Sequence, residues 1–274
     1  MKIAMNTGTL LQHYDMFEAV TRVKEAGFDA IDFSVQTVLS KPDWSPENYQ
    51  ETALRLREHA AKEGITMGQA HAGGDVQRSM HIAALCGIPS IVIHPKIVMP
   101  HVGQEDKIFD INMEHYERFV PYAEEYGIKI AVENMFKWDW TREMIWHSCC
   151  SRPDEFVRYM DGLEKRFGKE NFTACLDVGH SVLVGEDPCN TIRALGGERL
   201  TSLHMHDNNF HQDMHTIINA GKMDFIAISK ALKEINYQGD YALEVGLHYP
   251  KDLVPEAMRH LAVVCRYYAD LASN

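Results

Sequence analysis

Basic residues are scarce in this 274-residue chain. Lys and Arg number 27 against 39 Asp and Glu, for a formal net charge of −12. A surface that tracks a phosphate backbone needs clustered Lys and Arg, so no nucleic-acid partner is expected. A small anionic substrate, which one Arg or Lys can hold, is not excluded. The six Cys show no Cys-x-x-Cys spacing, and Cys149 and Cys150 are adjacent, a poor geometry for mutual pairing. They read as free thiols in a reducing compartment. No apolar stretch approaches the ~20 residues of a membrane helix, so no membrane partner is expected. The opening MKIAMNTGTL is strand-like and lacks a hydrophobic signal core, which makes the cytoplasm the expected location. Low-complexity tracts and linkers are also missing, so residues 1–274 are expected to form a single domain.

What the chain has is alternation. Strand-like runs fall near 2–7, 30–35, 65–71, 90–95, 129–134, 172–178, 200–206 and 241–246. Helical patterns fall near 15–26, 47–63, 75–86, 107–126, 153–162, 187–195, 224–236 and 254–271. The phrases EAGFDAIDF, KEGITMGQ, LCGIPSIVI and EYGIKIAVE each join a helix end, a Gly and an apolar strand. Gly27, Gly64, Gly87 and Gly127 stand where helix stops belong. Eight such βα units predict an α/β fold, the (β/α)8 TIM barrel. An open doubly wound sheet is the alternative. Two loops are long: 135–152, which carries three of the four Trp, and the His-rich 207–223. Long loops in compact domains often serve as lids.

Six of the apolar runs end in residues that bind metals. GITMGQAH closes on His71, SIVIHP carries His94 and KIAVEN carries Glu133. FTACLDVGH carries Asp177 and His180, LTSLHMHD carries His204, His206 and Asp207, and YALEVG carries Glu244. In a parallel barrel the carboxyl ends of all strands face one mouth, so these groups are expected to converge. One acid inside an apolar run can be a structural ion pair, but three at matching strand ends call for a cation. His204 and His206 share one side of their strand, because the strand period is two. His204, deeper in the run, is the preferred ligand. His71, His94 and His180 are candidates for metal or substrate contact, and Asp213 and His215 for an extension of the cluster.

These residues carry a resemblance that spans essentially the whole chain. Val-Glu-Asn at 132–134, Leu-Asp-Val-Gly-His at 176–180, His-Met-His-Asp-Asn at 204–208, Gly-Lys-Met-Asp-Phe at 221–225 and Leu-Glu-Val at 243–245 resemble the xylose-isomerase-like barrel superfamily. The branch is that of sugar phosphate isomerases/epimerases, related to class II AP endonucleases. The resemblance implies one divalent ion, Mn²⁺ or Zn²⁺, held by Glu133, Asp177, His204 and Glu244. It also implies substrate contacts at His180 and at Asp139, six residues past Glu133. His71, His94, His180, Asp213 and His215 are similar to the further ligands of the multi-zinc endonucleases, which leaves more than one ion open. Where the ketohexose epimerases place an Arg, six residues after the metal His, this chain has Phe210, so the substrate's identity does not transfer.

The expected activity is isomerisation or epimerisation of a small sugar or sugar phosphate. Glu133 and Glu244 would move the proton next to a carbonyl, through a metal-stabilised enediolate. Substrate-binding candidates are His180, His94, His71, Asp139 and Trp138, the last in a loop suited to cover an apolar sugar face. The alternatives are an AP-endonuclease-like multi-zinc phosphodiester hydrolase, a dehydratase of the same fold and a non-catalytic sugar-binding barrel. The expected partner is a small carbohydrate. The oligomeric state, homo-oligomer included, is open.

Overall fold

The computed structural model describes residues 1–273. Its elements begin with β1 (Ile3–Asn6), α1 (Met16–Glu25), β2 (Ala30–Ser34), α2 (Tyr49–Glu63), β3 (Thr66–His71), α3 (Val76–Leu85) and β4 (Ser90–Ile93). They continue with α4 (Glu105–Glu117), α5 (Val120–Tyr126), β5 (Lys129–Glu133), a hairpin of β6 (Phe136–Asp139) and β7 (Met144–His147), and α6 (Pro153–Phe167). The rest are β8 (Phe172–Asp177), α7 (Val178–Leu183), α8 (Pro188–Arg199), β9 (Leu200–His204), α9 (Phe225–Glu234), β10 (Tyr241–Leu243) and α10 (Val254–Ser273).

Eight strands pair in parallel in the order β10-β1-β2-β3-β4-β5-β8-β9. The seam between β9 and β10 closes just past the end of β9, where Met205 N donates to Ala242 O and Glu244 N to Met205 O. That closure removes the free edges of an open sheet and excludes the doubly wound alternative. The TIM barrel expected from the alternation is the fold observed. Among the described residues no helix is long and apolar enough to cross a membrane.

Two boundaries differ from the periodicity. The single helix expected over 107–126 is broken into α4 and α5, because Pro121 near the start of α5 has no N–H to continue the ladder. The 135–152 loop folds back on itself as the β6–β7 hairpin, with Phe136 opposite His147 and Trp138 opposite Ile145. Helices end where expected: Gly64 and Gly127 adopt left-handed conformations, φ 68° and 64°, that any larger residue would find strained.

The main apolar core lies between the strands and the surrounding helices. The barrel's interior is different. It holds small groups: Ala4, Ala30 and Ala242 form one separate cluster and Val92, Ala131 and Cys175 another. Ser90 Oγ and Ser202 Oγ meet across it at 3.3 Å, and Gln69 reaches over to Leu203 O. Two residues further along each strand, and therefore on the same side, stand Asn6, Asp32, His71, His94, Glu133, Asp177, His204 and Glu244. A floor of small side chains thus supports a ring of eight polar ones at the carboxyl mouth.

Candidate metal centre

The strand register brings the ring together. Asp177 of β8 is the ladder partner of His204 of β9. His204 Nδ1 lies 2.9 Å from Glu133 Oε1, 3.2 Å from Glu244 Oε2 and 4.0 Å from Asp177 Oδ2. The four residues expected to hold one ion therefore present donor atoms around one point. The other candidates extend the cluster on both sides. His94 Nε2 is 2.8 Å and His71 Nε2 3.6 Å from Glu133 Oε2. On the far side Asp213 Oδ2 lies 3.2 Å from His215 Nε2 and 3.8 Å from His180 Nε2. Five overlapping groups have their donor atoms within 4.8 Å of one another, among them His71 with His94 and Glu133, Asp177 with His204 and Glu244, and His180 with Asp213 and His215.

The imidazoles are held as ligands need to be held. His71 Nδ1 donates to Ala72 O at 3.2 Å, His180 Nδ1 to Asn134 O at 2.8 Å and His215 Nδ1 to Glu244 O at 3.0 Å. Each such bond fixes the ring and leaves Nε2 facing the cluster, the arrangement by which backbone carbonyls orient metal-bound histidines. His215 reaches its carbonyl from a left-handed backbone, φ 43°, uncommon outside Gly and a feature of functional sites.

The donor set fits a cation better than it fits itself. His71 Nε2 and His94 Nε2 are 2.9 Å apart, so at most one proton can lie between them. The buried Glu133 Oε2 lies 2.8 Å from His94 Nε2 and 3.6 Å from His71 Nε2 but is aligned for a hydrogen bond with neither. Around a tetrahedral ion with bonds of roughly 2.0–2.1 Å, donor atoms sit about 3.3 Å apart, which is the spacing these groups approach. In the metal-free protein, protons must do the ion's work. Burial disfavours the Glu133 carboxylate, yet His204 and His94 hold it well below the usual carboxylate range. Burial likewise disfavours charge on His215, but Asp213, Asp177 and Glu244 raise it to about 10. His71, His180 and His204 are raised in the same way, against the cost of burial, by the acids around them.

The motifs make sense around this geometry. Asn134 accepts from Asp177 N and donates to Asp177 O, locking β5 to β8. Asp177 Oδ1 caps α7 by accepting from His180 N at 2.8 Å, which delivers His180 to the site. His206 is not turned toward the Glu133 side. Its Nε2 grips both Asp177 oxygens at 3.0 and 3.1 Å. Residue 179 must be Gly, because an added Cβ would stand 2.0 Å from the His206 ring. Asp207 accepts from Asn208, Gly221 and Met223 N–H groups and so ties the ends of the 207–223 loop.

A cavity of about 330 Å³ opens above the cluster, with Phe136 and Lys137 of the hairpin on its wall. Phe136 packs edge-on against His180, ring centroids 4.9 Å apart. Two expected substrate contacts are not brought in. Asp139 is spent on the hairpin turn, accepting from Thr141 N and Arg142 N and pairing with the Arg142 guanidinium. Trp138 points outward from the same hairpin, 41% exposed. The sequence reading passed over Asp32, which is fully buried in the polar ring and accepts from Asn6 Nδ2 at 2.8 Å. Its signal, an acid inside the apolar run AIDFS, is the one that singles out Glu133.

Known structures share this architecture. The chain superposes on a D-tagatose 3-epimerase-like protein with a TM-score of 0.73 and 21% identity, covering 99% of this chain and 98% of that one. It superposes on the IolI protein with a bound zinc atom at a TM-score of 0.73 and 18% identity, covering 100% and 98%. At these identities the likeness is one of fold. In sequence it is 28% identical over 158 residues to an uncharacterized protein of Methanocaldococcus jannaschii, 56% of this chain and 50% of that protein. The chain thus spans about half the length of the curated relatives it matches. The match that covers most of the sequence is to a family, over residues 20–263, and on it the chain belongs to the xylose isomerase-like TIM barrels.

Proposed function

We propose that the chain is a divalent-metal-dependent isomerase or epimerase of a small carbohydrate. The observation that carries this reading is the placement of Glu133 and Glu244. Both carboxylates stand within 3.2 Å of His204 Nδ1, and both line a cavity of about 330 Å³, the scale of a small-molecule site. A bound divalent ion would supply Lewis acidity, making a proton next to a carbonyl easier to remove and favouring the negative charge that builds on oxygen. Glu133, Asp177, His204 and Glu244 would hold that ion. One of the two glutamates takes the carbon-bound proton, and the same or the other returns it. His180 offers an Nε2 already oriented by Asn134 O to a substrate hydroxyl or to a further ion. The likeness to a D-tagatose 3-epimerase-like protein supports the choice of substrate class.

A second reading has its own observation. Donor groups on either side of the core, His71 and His94 sharing Glu133 with it and His180 with Asp213 and His215, suit two or three zinc ions, and multi-metal sites hydrolyse phosphodiesters. The net charge of −12 opposes a nucleic-acid substrate. On this second reading, with His71, His94, Asp213 and His215 as ligands, elemental analysis after dialysis against a weak chelator gives more than one ion per chain. A ratio near one would assign His71, His94, Asp213 and His215 to substrate or to orienting the ligands.

The deciding experiment is solvent exchange. Incubated in D₂O with a panel of ketoses and their phosphates, the metal-loaded protein is expected to place deuterium next to the carbonyl of its substrate. Cleavage of abasic-site DNA that persists through repurification and vanishes in Glu133→Gln, with no deuterium in any sugar, would replace this reading with the hydrolase.

A further inference from the structure

The back nitrogens of three cluster histidines are held by main-chain carbonyls, but that of His204 is not. Its Nε2 is fully buried and has no hydrogen-bond partner. The carboxylate atom nearest to it is Asp32 Oδ2, 3.8 Å away on β2, and the Cys175 thiol also lies beside the ring. Asp32 is just as enclosed: one oxygen accepts from Asn6, and the other, Oδ1, has no partner. A buried imidazole nitrogen without a partner, beside a buried carboxylate whose second oxygen also lacks one, is costly unless the two serve each other. Asp32 is also the one acid or histidine of the eight-residue ring that belongs to none of the donor groups.

We propose that Asp32 is a positioning residue for the metal centre. It accepts the His204 Nε2–H and so fixes the tautomer whose Nδ1 lone pair faces Glu133, Asp177 and Glu244. Asn6 Nδ2 holds the carboxylate, and Asn6 Oδ1 is in turn fixed by Gly8 N at 2.7 Å. A carboxylate behind the ring makes the imidazole a stronger ligand than a carbonyl does, which singles out His204 among the cluster's histidines. The proposal rests on the metal-centre reading, and not on the choice between isomerase and hydrolase.

The test uses Zn²⁺ alone. Zinc affinity is measured by competition with a chromophoric chelator for the wild type, Asp32→Asn, His204→Ala and the double variant. The chelator-treated proteins are melted in parallel. Asp32→Asn is expected to weaken the tightest site about ten- to a hundredfold with little change in the metal-free melting temperature. In the His204→Ala background the same substitution is expected to change affinity less than twofold, because the group it orients is gone. A purely structural role predicts equal losses in both backgrounds, and that result overturns the proposal. So does an Asp32→Asn affinity within twofold of the wild type. If Asp32→Asn does not fold, Asn6→Ala takes its place, with a smaller loss expected and the same dependence on His204. A wild-type chain that takes up no zinc overturns this proposal and the metal-centre reading together, whereas a wild type that binds leaves the comparison to judge Asp32 alone.

Discussion

Two buried clusters of charge lie in this barrel, and they are balanced differently. Beside α6, His101 Nε2 donates to Glu155 Oε1 at 2.7 Å, with both side chains almost wholly enclosed. One cation meets one anion, so the pair balances in charge, although His101 Nδ1 and Glu155 Oε2 are buried without partners. At the mouth, by contrast, several imidazoles and carboxylates share one space, and His71 Nε2 and His94 Nε2 face each other at 2.9 Å beside Glu133 Oε2. The first cluster is a structural clamp of one cation on one anion. The second is complete only with something positive added. Breaking the first should therefore cost stability and spare function. Glu155→Ala leaves His101 uncompensated and is expected to cost about 3–5 kcal/mol in urea unfolding, with metal stoichiometry unchanged. The clamp also has a pH signature. Burial works against charge on His101, but the Cys149 sulfur and Glu155 raise it from 6.5 to about 9. A raised pKa stabilises fully below the unfolded value, so its contribution is present below pH 6.5 and fades as pH climbs toward 9. The stability gap between wild type and Glu155→Ala should shrink over that window. A gap that widened would mean the pair is not the clamp described.

Breaking the second cluster should do the reverse. In wild type and Glu155→Ala alike, Zn²⁺ at about a thousandfold excess over its dissociation constant is expected to add about 4 kcal/mol to stability. Glu133→Gln should lose most of that increment. Its deuterium exchange should fall by more than about 10²-fold, equivalent to about 2.7 kcal/mol of transition-state stabilisation. Metal content must be measured on the same preparation, since a lost ligand and a lost base look alike in rate. The contrast between the clusters fails if metal-free Glu133→Gln melts lower than Glu155→Ala.

Much of this was readable before the fold was known. Apolar runs that stop in His71, Glu133, Asp177, His204 and Glu244 predict both the barrel and the convergence, because strand ends share one mouth. The hairpin at 136–147 was not readable, since its turn chemistry comes from Asp139 and Arg142 and not from a Gly pair. That same local pairing removes Asp139 from the site. Asp32 was readable and missed: it takes the barrel's period of two, applied to every strand, to set it level with Glu133. The Gly of Asp-Val-Gly-His could be quoted but not explained until His206 was seen against it. Gly179→Ala should cost about 1–3 kcal/mol by overpacking and, by displacing His206 from Asp177, weaken Zn²⁺ retention as well. Unchanged stability and retention would mean the loop yields, and the motif's Gly would then need another reason.

The smallest expected effect concerns the exposed tip of the hairpin. Trp140 is 84% exposed at the tip of the hairpin, and its ring meets Trp138 edge-on at 6.0 Å. Little packing is lost on removing it, so Trp140→Ala should leave unfolding free energy within about 0.5 kcal/mol of the wild type. The base of the same hairpin reaches the site through Phe136 and Lys137. If the hairpin closes over substrate, the exposed rings are its apolar surface, and their loss removes binding that ground state and transition state share. KM should then rise several-fold while kcat and Zn²⁺ content stay constant. A change in kcat instead would tie the hairpin to the chemistry. An unchanged KM in both Trp138→Ala and Trp140→Ala would remove it from the site, leaving Phe136 and Lys137 as the hairpin's whole contribution.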